Sequence, residues 1–396
     1  MNSSISGQES PIIVAGGGIG GCALALMLAR QGRQVLLLEQ AEEFKEIGAG
    51  IQLGPNAFRV FDILGISAAI EQTVVYPEHL VMMDGMTGET VTSMKMGQPF
   101  ISRFGKPYGV IYRADLHAAL VRACREQANI VMHTRCRVTG FEDHGDRVVL
   151  RTEDGAEFTG AALVGCDGLW SKVRGQLLGD GAPRVSGHIA YRAVLPIEQV
   201  PEHLRRNDMV LWAGAKNHLV QYPLRGGQLY NLVAVFHSDK YVEGWDAKAD
   251  SAELFKRFAG NCEQVRHLLA LIETWRMWVL CDREPVREWS KGRVTLLGDA
   301  AHPMLQYMAQ GAAMAMEDAV CLARELSEGG GVQEALLRYQ EHRYLRTGRV
   351  QLTARMYGEA YHASGVAREL RNQMLAPRTD EQGYESLSWL YDYDDF

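Results

Sequence analysis

The sequence has no excess of positive charge: 41 lysines and arginines stand against 48 aspartates and glutamates in 396 residues, a formal charge of -7. Nucleic acid is held through a basic face, and here Lys and Arg are scattered, so no nucleic-acid partner is expected. There is also no Cys-x-x-Cys pair and no histidine at zinc spacing from a cysteine. The seven cysteines (Cys22, Cys124, Cys136, Cys166, Cys262, Cys281, Cys321) are odd in number and far apart, which points to reduced thiols in a cytoplasmic protein with no metal site. Residues 10–29 carry no charge and approach the length of a bilayer span, yet no Lys or Arg precedes them. The positive region of a signal sequence is therefore missing, and no membrane span is expected. With 47% hydrophobic and 22% charged residues, the chain is ordinary globular material long enough for two domains.

That uncharged stretch divides into two periods. Residues 11–15 read as a short buried strand, Gly16 to Gly21 as a tight turn, and Cys22 to Arg30 as a helix, with a second strand at 34–38. Gly16, Gly18 and Gly21 form G-x-G-x-x-G between strand and helix: the first permits the turn, the second lets a pyrophosphate approach, the third lets helix pack on strand. Glu39, at the end of the second strand, is placed to accept hydrogen bonds from a ribose diol. The unit predicts dinucleotide binding but does not separate NAD from FAD, which share an ADP half. No second phosphate motif follows a strand; Gly329 to Gly331 follows a helical segment and reads as a linker. Asp167-Gly168 and Gly298-Asp299 each end an apolar strand, where a side chain reaches the crevice of a doubly wound fold or simply caps a turn or helix.

Taken together, these motifs resemble those of the single-component FAD-dependent aromatic hydroxylases, the group of the p-hydroxybenzoate and salicylate hydroxylases. The resemblance spans nearly the whole chain: the glycine motif with Glu39, the segment GAGIQLGPNAFRVFDILG (48–65), Arg113-Ala-Asp115-Leu116, Cys166-Asp167-Gly168-Leu-Trp-Ser171-Lys-Val-Arg174, and Gly298-Asp299-Ala-Ala-His302-Pro303. It implies FAD as cofactor, NADH or NADPH as co-substrate, and O2 and a small aromatic acid as substrates. It further implies that Glu39 holds the adenosine ribose, Arg113 lies near the pyrophosphate, Asp299 meets the ribityl chain, and Asp167-Gly168 serves FAD and NAD(P)H. The charges of Glu39 and Arg113 suit a diol and a diphosphate respectively.

Within that group the chain is most similar to the branch that hydroxylates 3-hydroxybenzoate para to its hydroxyl, giving gentisate; salicylate and 6-hydroxynicotinate hydroxylation are the alternatives. Two segments carry this likeness, Asn217-His218-Leu-Val-Gln221-Tyr222-Pro-Leu-Arg225-Gly-Gly with Asn231 to Phe236, and His302-Pro303-Met-Leu-Gln306-Tyr307-Met-Ala309-Gln310-Gly311. An aromatic tail around Trp389 adds to it. The wider group shows H-P-x-x-P-x-x-G-Q-G-x-N, whereas here Gln306 replaces the second proline, Ala309 the first glycine and Ala313 the asparagine. An amide beside a phenol is a specificity device, since it goes unpaired when the wrong analogue binds.

The catalytic candidates are His218, a base of near-neutral pKa, and Gln306; Tyr222 shares the strand face of His218 and is a candidate for substrate binding. A structural histidine and a packed tyrosine are the plain readings of the same residues. Arg192, Arg225 and Tyr191 are unranked candidates for the substrate carboxylate. His302 reads as structural, and Met304, Met308, Met314 and Met316 as core filling. The expected fold is α/β: a discontinuous Rossmann-like FAD-binding domain (1–75, 100–185, 285–330) and a sheet-rich substrate domain (76–99, 186–284), then a helical region and tail (331–396). Charges such as Glu341, Arg343, Arg346 and Arg349 suggest surface helices, residues 377–383 a turn, and the tail ESLSWLYDYDDF either docks on the body, docks on a second subunit of a homodimer, or is disordered. Two rival classes stay open, an NAD-dependent dehydrogenase, which the two Asp motifs disfavour, and a non-catalytic flavoprotein.

Overall fold

The computed structural model describes residues 10–46, 48–238, 245–248 and 250–396, so the segment on which the signal-sequence argument rests lies outside the described residues. Short apolar runs form the strands of a six-stranded sheet in the order Ser290–Lys291, Val294–Leu296, Ala162–Gly165, Ile12–Ala15, Val35–Leu38, Ile130–His133. All neighbours are parallel except the edge hairpin. Strands covered on both faces are apolar throughout, and Ile12 to Ala15 are all buried. The chain runs outward from the central first strand in one direction, then returns to its other side. That reversal is a topological switch point, and it opens a crevice at the carboxyl ends of Ile12–Ala15 and Ala162–Gly165.

A second sheet has eight strands, in the order Trp245–Lys248, Arg276–Asp282, Arg184–Pro196, Leu229–His237, Asn217–Leu224, Met209–Gly214, His79–Asp84, Thr90–Lys95. Its long central strands alternate sides. Along Asn217–Leu224, Leu219 enters an apolar core with Trp212 and Phe236, while His218, Val220 and Tyr222 face the cleft described below. The sheet thus forms a wall over the open end of the first one.

Three observations differ from the sequence expectation. The first helix spans Ile19–Arg30, beginning inside the glycine motif rather than at Cys22, because Gly18 serves as its N-cap. The expected turn at 377–383 is confined to its first residues, and from there a helix, Asp380–Tyr391, is opened by a capping box: Thr379 Oγ1 accepts from Gln382 N at 3.3 Å and Gln382 Oε1 from Thr379 N at 3.1 Å. The tail docks on the body, with Tyr384, Leu390, Tyr391 and Phe396 buried, and Phe100 and Phe104 make edge-on ring contacts with Tyr384 and Tyr391.

The third difference is the helix Val332–Tyr361. Arg343 and Arg346 are not on its solvent face but buried against the helix Gly311–Ser327. Arg343 donates to Glu317 at 2.8 Å and Asp318 at 2.7 Å; Arg346 forks onto Glu317 at 2.7 Å through both Nε and Nη2. Burial pushes the Asp318 carboxyl up, but His302 and Arg343 outweigh it and hold Asp318 at about 2. Burial opposes the Arg343 charge, and Glu317 and Asp318 more than restore it. Among the described residues no helix is long and apolar enough to cross a membrane. Removing one partner from such a cluster leaves a buried charge uncompensated. Arg343→Met is expected to lower the unfolding free energy by about 3–5 kcal/mol in urea titration; a loss below about 1 kcal/mol would mean that water reaches the cluster.

Candidate active site

Residues from both sheets line one cleft of about 820 Å³. At one end lies the glycine turn. Gly16 has φ +118, and a Cβ there would sit 2.2 Å from Cys166 O; one on Gly21 would sit 1.9 Å from Gly16 O. These two glycines are required by the protein itself. Gly18 is different: a Cβ there would meet only Glu46 Oε1, at 3.7 Å, so the open space beside it is left for a ligand.

The groups around this end suit a phosphorylated ligand. Glu39 holds the turn by accepting from Gly17 N and Ala41 N, each at 2.8 Å, one on each oxygen, and its remaining lone pairs can take a diol. Arg113 donates through Nη2 to Glu46 at 3.0 Å, while its buried Nε has no partner among the described residues. Asp299, exposed to the cleft yet walled by protein, meets no donor among the described residues. That enclosure raises its carboxyl above the ordinary range against the pull of Arg113. An unpartnered buried donor, an open glycine and an unpartnered carboxylate fit a diphosphate with a polyol beside it. Asp167 is placed differently. Its carboxylate caps the helix Lys172–Leu178, accepting from Ser171 Oγ at 2.5 Å, Lys172 N at 2.8 Å and Val173 N at 3.2 Å. The side chain is engaged by protein, while Asp167 and Gly168 both line the cleft and Gly168 has φ +75.

The far end of the cleft is aromatic. His218, Tyr222 and Gln306 all line it, joined by Tyr108, Tyr361 and Tyr391. His218 is not the base of near-neutral pKa that the sequence suggests: burial depresses its pKa to about 3, with His188 adding to the effect. Its Nδ1 lies 2.7 Å from His362 Nε2, so Nε2 is the nitrogen left for the cleft. Gln306 accepts from the Arg192 guanidinium through Oε1, which turns its amide N–H groups free. The next helical turn ends at Ala309 with φ +53 and ψ 34, a left-handed conformation that favours glycine and costs an alanine about 1 kcal/mol. Of the three carboxylate candidates, Arg192 lines the cleft; Arg225 forks onto Asp115 at 2.6 and 2.8 Å, and the Tyr191 hydroxyl accepts from Asp250 N at 2.9 Å. Met314 and Met316 fill core, whereas Met304 and Met308 line the cleft. His302 is structural, 2.5 Å from Asp318.

The structure therefore brings Gly16, Gly18, Glu39, Arg113, Asp167, Gly168, Asp299, His218, Tyr222 and Gln306 to one cleft, with Gly21 packed beneath the turn. Sequence reading missed Gln52, Tyr108, Tyr361 and His362. Tyr108 donates to Gln52 Oε1 at 2.5 Å. The aromatic tail was the one signal for Tyr391.

A family model described as an FAD binding domain matches residues 9–353. The 3-hydroxybenzoate 6-hydroxylase 1 of Aquipseudomonas alcaligenes is 46% identical over 385 residues, covering 97% of this chain and 98% of that one. A 3-hydroxybenzoate 6-hydroxylase of Polaromonas naphthalenivorans (strain CJ2) is 46% identical over 384 residues, 97% of this chain and 96% of its own. Among solved structures, Klebsiella pneumoniae HpxO complexed with FAD and uric acid matches with a TM-score of 0.86 at 26% identity, over 96% of this chain and 97% of that one.

The depressed histidines have a consequence for stability. Burial lowers His218 to about 3, His188 to about 4, and His362 further still. These rings stay neutral in the fold but take up protons in the unfolded chain below about pH 6.5, so stability is full above that pH and falls as pH drops below it. Each such ring contributes about 1.4 kcal/mol per pH unit between pH 6 and 5. His362→Gln should flatten the pH dependence of urea unfolding there by about one proton; an unchanged slope would show that His362 titrates normally.

Proposed function

The chain belongs to the single-component FAD-dependent aromatic hydroxylases, and from that membership we propose that it hydroxylates 3-hydroxybenzoate para to the hydroxyl, giving gentisate, with NAD(P)H and O2. The observation that carries this reading is the far end of the cleft, where the free Nε2 of His218 and the free amide N–H of Gln306 line the same enclosed aromatic space. Both curated relatives described above bear the name of that reaction.

FAD, when bound, supplies hydride acceptance and oxygen activation. It would be held by the glycine turn, Glu39, Arg113, Asp167-Gly168 and Asp299. The protein's own part is to make the phenol electron-rich. His218, kept neutral by burial, accepts the phenol proton at Nε2. Gln306, its oxygen fixed by Arg192, donates an N–H to the phenolate oxygen that results. Arg192 supplies a cation for the substrate's acid group in an otherwise acidic protein, and Tyr222 closes the wall beside Gln52. The tyrosines and methionines exclude water, which favours coupling of oxygen to product. On this reading residues 1–75, 100–185 and 285–330 serve the flavin, and 76–99 and 186–284 the substrate. The seven unpaired thiols support a cytoplasmic location.

The test is a visible spectrum of the purified protein, followed by NADH consumption and product identification over 3-hydroxybenzoate, salicylate and 6-hydroxynicotinate. A yellow protein that forms gentisate from the first is expected; a product from either of the others alone would replace the reading. His218→Ala should retain FAD while hydroxylation falls by about 10²–10⁴ and peroxide leakage rises. Gln306→Pro should reduce discrimination among the three substrates by about tenfold or more. An unchanged substrate profile would remove Gln306 from specificity.

A further inference from the structure

Apart from the cleft that the substrate would fill, the base has little contact with water: His218 is only 2% exposed. What it has is a second histidine. His218 Nδ1 lies 2.7 Å from His362 Nε2, and His362 Nδ1 lies 2.9 Å from His237 Nε2, on a half-buried residue at the end of the strand Leu229–His237. The three rings run head to tail: each uses Nδ1 toward the next and presents Nε2 to the one before. A neutral imidazole donates at one nitrogen and accepts at the other, so both contacts are satisfied with Nδ1–H in all three rings and equally with Nε2–H in all three. The rings are fixed in place by the backbone: Lys216 N donates to His362 O at 3.0 Å and His237 N to Lys216 O at 3.1 Å.

We propose that His362 and His237 form a proton exit path that carries the substrate's phenol proton from His218 to solvent. This rests on the reading of His218 as the base. The phenol O–H breaks and an Nε2–H forms on His218. His218 Nδ1–H passes to His362 Nε2, His362 Nδ1–H to His237 Nε2, and His237 Nδ1–H to water. Three neutral rings remain, each in the opposite tautomer, and the phenolate stays beside Gln306. Return of a proton to the product's phenolate oxygen along the same line resets the tautomers. No ring need carry a lasting charge, in accord with burial that disfavours imidazolium throughout the cluster.

The surroundings separate path from wall. His188 stacks on His237 at 4.2 Å between centroids, but its Nδ1 is held by the Tyr307 hydroxyl at 2.6 Å, so it flanks the line without continuing it. Tyr307 and Tyr361 pack on His218 at 5.5 and 5.7 Å. At the outer end Glu359, Lys216 and Arg257 act on His237, the first favouring and the other two opposing its protonated form. His362 and His237 are positioning residues: neither lines the cleft.

The experiment mixes FAD-loaded enzyme with 3-hydroxybenzoate in weakly buffered solution and follows proton release with an indicator dye. Wild type should release a proton rapidly. His362→Leu should slow release by about tenfold or more with FAD content retained, and His237→Asn should slow it in a way that added imidazole restores, since that ring is the accessible one. Should His362→Leu fail to hold FAD, His237→Asn with and without imidazole decides alone. Release at the wild-type rate in His237→Asn, slow release that imidazole does not restore, or no release from wild type would each overturn the path. So would a zinc ion retained through EDTA dialysis, because His188, His237 and His362 are also close enough to hold one and a metal would occupy the relaying nitrogens. Wild type that makes no gentisate would instead sink the assigned reaction, while gentisate with unaltered release in the variants sinks the path alone.

Discussion

Much of this molecule depends on one buried ion cluster. Glu317 and Asp318, adjacent on one helix, meet Arg343 and Arg346 from another, and all four are buried. From there hydrogen bonds run in three directions. Asp318 accepts from Gly298 N at 3.1 Å and lies 2.5 Å from His302, fixing the loop that presents Asp299. Glu317 and Gln310 accept from Asn56 at 2.7 and 2.9 Å, tying in the helix Pro55–Ile63. Arg346 donates to Leu390 O at 2.9 Å, which seats the C-terminal helix and with it Tyr391 in the cleft wall. A buried pair is weak evidence of net stability, but a cluster whose members are cross-bonded is specific. It sets the register of the long helix that ends at Tyr361 and delivers His362 to His218.

This explains which parts were legible in the sequence. The first βαβ unit was, because a strand, a glycine turn, a helix and an acid at the next strand's end are local, and each glycine answers a steric demand close by in the chain or in the ligand. Asp299 was legible for a similar reason, since a short apolar run followed by Gly-Asp marks a strand end at the crevice. The helix start was missed by three residues because glycines lower helix propensity, while the N-cap geometry at Gly18 overrides it. Arg343 and Arg346 looked like solvated charges because nothing near them in sequence shows their partners, which lie 25 to 29 residues earlier on a facing helix. His362 is 144 residues from His218, and no periodicity could have paired them. Asp167 keeps both of its sequence readings: its carboxylate caps a helix, and the residue lines the cleft.

The cleft joins two electrostatic regimes. At the glycine end the groups stay polar and partly unpaired, as befits a site for an anionic, hydrogen-bonding ligand. At the aromatic end every strong group is either neutralised by burial or tied to a neighbour, and the few free atoms that remain are the ones able to meet a phenol. Gln306 is instructive here. Its replacement of a proline adds both an amide and a backbone N–H, and the neighbouring Ala309 holds a left-handed conformation that a glycine would take without strain.

Four histidines in mutual contact are a costly way to fill space, since each ring has two polar nitrogens and an apolar side chain would have none. The cost is limited only if the nitrogens satisfy one another. In His218, His362 and His237 they do, as a continuous line from a buried ring at the cleft to a half-buried ring at the surface, in which either uniform tautomer pairs both contacts. A cluster that only fills space need not reach from the cleft to the surface. Depressed basicity points the same way. A buried base that retained its proton would be a poor one for the next molecule of phenol, whereas a base backed by two neutral rings can pass the charge on before it settles.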